Sequence, residues 1–190
     1  MIGTLAWVPA LDRPDLLAPV VERALRSWPE AGRVLVAEID PAVADTAALA
    51  RAHAVPLDAS ANCVVVAGKR AGEQRVAACV VLATTRADVN GLVKQSLDVR
   101  KASFLVMDAA VEGTGMEHGG ITPVGLPAAW SLLVDSAVAR HPLVVIGSGV
   151  RRSKLALPGA AVAAIPGARV LENLASPSGS STSATPTTRG

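Results

Sequence analysis

Residues 113–127 read G-T-G-M-E-H-G-G-I-T-P-V-G-L-P, from Gly113 to Pro127. Five of the fifteen are glycine and two are proline, in a chain otherwise rich in Ala, Val and Leu. Glycine opens backbone angles closed to other residues and lets a ligand approach the main chain. Proline fixes φ and stiffens the turn around it. A loop that alternates the two is shaped, and it can aim backbone N–H groups at a bound acceptor. An ordinary connection with tight turns would draw on the same residues, so the flanking sequence has to discriminate.

Upstream of the loop, residues 62–69 and 75–84 are Val-rich runs separated by the turn-forming 70–74, which predicts a β-hairpin. Thr85 with Asp88 resembles a capping box, and Val89, Leu92, Val93 and Leu97 give the following helix a buried face. Arg100-Lys101 leads into a short apolar piece, 102–107, and a brief helix from Asp108 to Gly113 or Gly115. Nearer the N-terminus, apolar residues from Asp12 to Trp28 recur at helical spacing, with Pro19 either kinking that helix or starting it. A strand over 33–39 and an alanine-rich helix over 42–53 follow. Downstream, strands are expected over 131–134 and 143–146, ending at Asp135 and at Gly147-Ser148-Gly149. A helix over 160–165 and a strand over 169–172 come next. Helices mixed with strands, including a hairpin, predict an α/β domain: a mixed β-sheet flanked by helices. The expected domain spans 1–174, and 175–190, rich in Ser, Thr and Pro, is expected to be a disordered tail.

At 190 residues and 51% hydrophobic, the chain has about one domain's length and enough apolar content for a sizeable core. With one Phe, three Trp and no Tyr, that core is aliphatic, which weakens any reading that needs an aromatic platform for stacked bases. A net charge of +2 permits a nucleic-acid partner without demanding one. Cys63 and Cys79 read as buried free thiols in apolar strands. His53, His118 and His141 are scattered, so no metal site is expected. No apolar run is long enough for a membrane span, and no signal peptide is visible, which makes the cytoplasm the default compartment.

The catalytic inventory is poor. No nucleophile elbow, P-loop or HExxH is present. His118 beside the glycines is either a general base or a solvated loop residue, and Asp135 either caps the next turn or faces a site. Arg151, Arg152 and Lys154 read as a solvated basic face, with phosphate contact as the functional alternative.

The order of these features resembles the YbaK/ProX family of aminoacyl-tRNA deacylases, which includes the editing domain of bacterial prolyl-tRNA synthetases. Over Ala61 to Leu174 the chain presents a Val-rich hairpin, then Arg100-Lys101, then T-G-x-x-x-G-G-I-T-P-V-G at 114–125, an apolar-Asp pair at 134–135 and I-G-S-G at 146–149. The family's G-x-x-x-P signature falls on Gly119 to Pro123. The resemblance implies a trans-acting deacylase whose loop holds the ester carbonyl of a mischarged tRNA, with hydrolysis assisted by a ribose hydroxyl. Few protein acid/base groups are then needed, and no cofactor.

On the same basis Asn62, Gly119 and Gly120 are the expected catalytic positions. Ile121, Thr122, Pro123, Asp135, Gly147, Ser148 and Gly149 would bind substrate, and Lys101, Arg151, Arg152 and Lys154 would meet the tRNA. The implied partner is aminoacyl-tRNA, with an aminoacyl-tRNA synthetase as a second candidate. Neither DNA nor a membrane is expected. One departure stands out: active relatives carry lysine at the start of the first hairpin strand, where this chain reads Ala61-Asn62-Cys63-Val64-Val65. Asparagine can donate and accept hydrogen bonds but supplies no charge. Lys69 is no substitute, being roughly 23 Å along the strand and on its opposite face. The alternative reading is therefore a non-catalytic module that binds an aminoacyl-tRNA end or a small ligand.

Overall fold

The computed structural model describes residues 2–178. A short strand β1 (Val8–Pro9) and two 3-10 turns precede α1 (Pro19–Ser27). Pro19 thus starts the helix, where its missing N–H costs nothing, and Val21 and Leu25 are buried. β2 (Leu35–Glu38) and α2 (Thr46–His53) follow. Asp45 caps α2, its carboxylate accepting from the N–H groups of Ala47 and Ala48 at 3.0 and 3.3 Å. The hairpin β3 (Ala61–Arg70) and β4 (Glu73–Leu82) is closed by Ala71 and Gly72, at φ 51° and 86°. Two left-handed residues in a row are what a tight two-residue turn requires.

Next come β5 (Thr85–Ala87), a π-helical turn Val89–Val93 running into α3 (Lys94–Ser96), β6 (Ala102–Phe104) and α4 (Met107–Thr114). The expected cap at Thr85 is corrected here, because Thr85 belongs to a strand. Asp88 is the cap instead, accepting from Gly91 N and Leu92 N at 2.9 Å each. After the glycine loop the chain forms β7 (Ser131–Asp135), α5 (Ser136–Ala139), β8 (Val144–Gly147), β9 (Ser153–Leu157), α6 (Gly159–Ala163), β10 (Ala168–Leu171) and β11 (Ala175–Pro177).

The strands make two main sheets. One is antiparallel with order β1-β2-β9-β8, and the other is mixed with order β10-β7-β4-β3-β6. Within the second, β10, β7 and β4 run parallel, while β3 and β6 are antiparallel to their neighbours. A bridge between Ser60 and Val145 joins the start of β3 to β8 and forms the seam between the sheets. The main core lies between them: α1 contributes Val21 and Leu25, the first sheet Val36, Ile146, Leu155 and Leu157, and the second Ala78, Val80, Leu132 and Val134. Leu49 of α2 covers the far face of the first sheet, over Ala37, Val145 and Ala156. Val93 and Leu97 cover the far face of the second, over Val66, Ala77 and Cys79. The result is a mixed α/β domain with helices against its sheets.

Two sequence expectations need correction. Residues 151–154 are not a uniform solvated basic face: Ser153 and Lys154 open β9, and all five of its residues are buried. The tail expected from 175 does not begin there. β11 pairs with β5, Ala175 opposite Ala87 and Pro177 opposite Thr85, and Ser178 N donates to Thr84 O at 3.0 Å. The rest of the expected tail, 179–190, lies outside the described residues.

Candidate active site

A cavity of about 470 Å³ opens at the seam between the sheets, a size that suits a small ligand. Four parts of the chain meet around it: Thr46 and Leu49 of α2, Asn62 at the start of β3, Gly119 and Ile121 of the glycine loop, and Gly147 with Lys154 from β8 and β9. His118 and Arg151 stand on the same lining.

The glycine loop is held to the turn between β8 and β9 by a set of short bonds. Glu117 N donates to Gly149 O at 2.8 Å, and Gly149 N donates to Gly120 O at 2.8 Å. The Glu117 carboxylate accepts from Arg151 N at 2.7 Å, and the Arg151 guanidinium donates to His118 O at 3.2 Å and Pro41 O at 3.0 Å. The two segments approach so closely that a Cβ on Gly120 would sit 2.8 Å from the backbone of Val150. Gly119 has φ +76°, a left-handed conformation that costs other residues strain. The N–H groups of His118, Gly119 and Ile121 have no acceptor among the described residues. The loop is therefore a fixed frame that carries three uncommitted backbone donors on residues of the cavity lining.

Asn62 faces α2, where its Oδ1 accepts from the Thr46 hydroxyl at 2.9 Å. Lys154 reaches the cavity by strand alternation. Leu155 and Leu157 enter the main core, which sends Lys154 and Ala156 to the side of α2. It is 7% exposed, and its Nζ donates to Ala44 O at 2.7 Å. Burial, reinforced by the positive charge of Arg151 and partly offset by Asp45, pulls the Lys154 ammonium down to about 8. Burial pushes the Cys79 thiol up to about 12 and that of Cys63 upward as well, so neither is an activated nucleophile.

Of the expected site residues, the structure gathers Asn62, Gly119, Ile121, Gly147, Arg151 and Lys154 on one lining. Gly120 and Gly149 stand just behind it as the contact between the two segments. The others are placed elsewhere. Asp135 is the cap of α5: it accepts from Ala137 N at 2.8 Å and from Ala175 N at 2.9 Å, which occupies both oxygens. The Ser148 hydroxyl is fully buried against Ser153 Oγ at 2.7 Å and the carbonyls of Val150 and Ser153. Thr122 is fully buried with its N–H on the Met116 sulfur at 3.4 Å, and Pro123 borders a separate apolar recess with Trp28 and Trp130. Arg152 is bound to the carbonyl of Asp15. Lys101 lies beside β6, on another surface groove with Phe104 and Val106. Thr46 and Leu49 escape sequence reading, because nothing local in an alanine-rich helix marks the face that meets β3.

Among the described residues no group of three or more His, Cys, Asp or Glu is placed to hold a metal ion, and no helix is long and apolar enough to cross a membrane.

The family described as aminoacyl-tRNA editing domain matches residues 40–165, two-thirds of the chain. No curated protein matches it in sequence. Among solved structures, a protein assigned provisionally as a trans-editing enzyme for prolyl tRNA synthetase superposes with a TM-score of 0.69 at 21% identity, over 82% of this chain and 94% of that one. A scaffold protein from work on epitope backbone grafting gives 0.69 at 21% identity, over 82% and 95%. The hypothetical protein APE2540 gives 0.65 at 24% identity, over 76% and 91%. At such identities the superpositions speak for the fold, and the family match carries the kinship.

Proposed function

The chain belongs to the aminoacyl-tRNA editing domain family, and from that premise we propose that it is a trans-acting deacylase clearing a small wrong amino acid from tRNA. In the reaction, water adds to the ester carbonyl carbon with help from the neighbouring ribose hydroxyl. The tetrahedral intermediate then expels the ribose oxygen, which takes up a proton, and free amino acid and tRNA result. The observation that carries this reading is the set of uncommitted N–H groups on His118, Gly119 and Ile121, residues that line the cavity. Donors fixed where an oxyanion develops lower the barrier without reorganising, and each is worth about 10²–10³ in rate. Asn62, oriented by Thr46, would present its amide N–H groups to the substrate. The substrate places the activity where charged tRNA is, in the cytoplasm, and a synthetase that makes the mischarged product is the natural second partner.

A second reading rests on Asn62, which offers no charge: the cavity binds an aminoacyl-adenosine end without hydrolysing it. Incubating the protein with a panel of mischarged tRNAs and measuring free amino acid separates the two. Release above the spontaneous rate from at least one member is expected. Binding without release across the panel would leave the second reading standing.

A further inference from the structure

Lys154 is a buried cation that the Asp45 carboxylate favours through space, without an ion-pair contact among the described residues. An ammonium carries three donors, and its one acceptor among the described residues is the carbonyl oxygen of Ala44. None of the ion pairs among the described residues includes it. Asp45 is the one carboxylate on the cavity lining, and its Oδ1 is bound to two N–H groups at the start of α2. Arg151, the other cation on the lining, spends its guanidinium on the carbonyls of His118 and Pro41. Lys154 thus brings to the cavity an ammonium with donors to spare, beside an Arg151 guanidinium held by two carbonyls. An unpaired buried charge is costly to a folded protein, and truncating it to an apolar residue of similar size is often stabilising. A ligand that brings negative charge would offset that cost.

We propose that the Lys154 ammonium is the anion-binding group of this cavity and contacts an oxygen of the aminoacyl-adenosine end that is negative or becomes so. That oxygen is either the phosphate of the terminal nucleotide or the ester carbonyl oxygen as it turns into the oxyanion. The proposal rests on the deacylase reading for the identity of the ligand, but not for the existence of the anion site. It also explains how a chain with Asn62 at the start of β3 still places a positive charge at its cavity: the charge comes from β9.

The test compares wild type with Lys154→Met and Lys154→Gln. Steady-state deacylation of a mischarged tRNA, thermal melting, and the Nζ resonance of Lys154 in lysine-labelled protein titrated with adenosine 5′-monophosphate or with adenosine are measured. The expected result is a 10²-fold or greater loss of kcat/KM in both variants, with melting unchanged or raised for Lys154→Met. A fall in kcat alone assigns the developing oxyanion. A rise in KM, together with a Lys154 resonance that responds to the monophosphate and not to adenosine, assigns the phosphate. A lysine that merely ties β9 to Ala44 predicts lower melting with kcat and KM unchanged, and that outcome overturns the proposal. If wild type hydrolyses none of the tRNAs yet its Lys154 resonance responds to the monophosphate, the deacylase reading fails and the anion site stands. Without hydrolysis and without a response, both fall. If neither variant folds, the titration of wild type decides, and silence there counts against the site.

Discussion

The hydroxyl of Thr46 donates to the side-chain oxygen of Asn62 at 2.9 Å, so the first residue of α2 sets which way the amide at the start of β3 can face. With Oδ1 engaged, the Nδ2 donors are the part of Asn62 left for a ligand. Asn62→Ala should then lower deacylation by about 10²-fold, the usual cost of one oxyanion-type donor. Thr46→Val should cost less, about tenfold, since the amide remains but is no longer oriented. Single-turnover rates on one mischarged tRNA check both. Asn62→Lys should not raise activity, because it adds a third cation to a lining that already holds Lys154 and Arg151, and like charges disfavour one another. A melting point below that of wild type is the accompanying expectation.

The two adjacent glycines should respond differently to alanine. At Gly119 the added Cβ meets the end of the Arg151 side chain at 2.5 Å, which can swing away, and φ +76° adds strain of about 1 kcal/mol. The fold should survive Gly119→Ala with activity reduced. At Gly120 the Cβ meets the backbone of Val150 at 2.8 Å, so the loop itself must move. Gly120→Ala should cost about 2–4 kcal/mol in urea unfolding and abolish deacylation. Equal unfolding midpoints for the two variants would contradict this placement.

Burial of Lys154 gives stability and rate opposite pH trends. Its folded value of about 8 lies below the ordinary 10.5, so between those values the unfolded chain holds a proton that the folded chain has released. Stability from this group should therefore rise with pH across the window from about 8 to 10.5, and be insensitive to it below. Deacylation that uses the ammonium should instead decline above about pH 8. Asp45, His118 and Arg151 border the same cavity, which makes Lys154→Met the proper reference: it should lose the rise in stability across the window.

Much of the architecture was legible because apolar runs and turn residues coincide. The hairpin and the strands at 131 and 143 follow from period and punctuation, while Pro19 left a kink and a start equally open and the helix starts there. β9 was not legible. Its five residues S-K-L-A-L follow two arginines, and a lysine beside arginines reads as solvated until the neighbouring strands are known to bury it. Asp135 was ambiguous for a related reason, since a carboxylate at a strand end looks the same whether it caps a helix or faces a ligand. Its second partner, Ala175 N, lies 40 residues along the chain, beyond the reach of any local pattern. The resemblance proposed Asn62, Gly119, Ile121 and Gly147 as site residues, and these four share one cavity lining.

Ending the chain after Leu174 should be costlier than ending it after Ser178. The shorter form loses β11 and its pairing with β5, and leaves one oxygen of Asp135 without its N–H. A drop of several degrees in melting is expected for it relative to the longer form. Asp135→Ala, which also removes the cap of α5, should cost about 1–3 kcal/mol. It should leave kcat and KM near those of wild type, because the residue holds the fold rather than the substrate.

Gly147 and Gly120 meet without a side chain between them. A Cβ on Gly147 would strike the carbonyl oxygen of Gly120 and lie 2.7 Å from that of Ile121. This contact is main chain packed on main chain, and neither glycine can take a side chain without moving the other segment. Side chains that line the rest of the cavity include Thr46, Leu49, Val64, Met107 and Ile121. Any retuning of which amino acid the cavity admits, by selection or by design, therefore falls to those side chains, while the backbone contact between Gly120 and Gly147 stays common to every version.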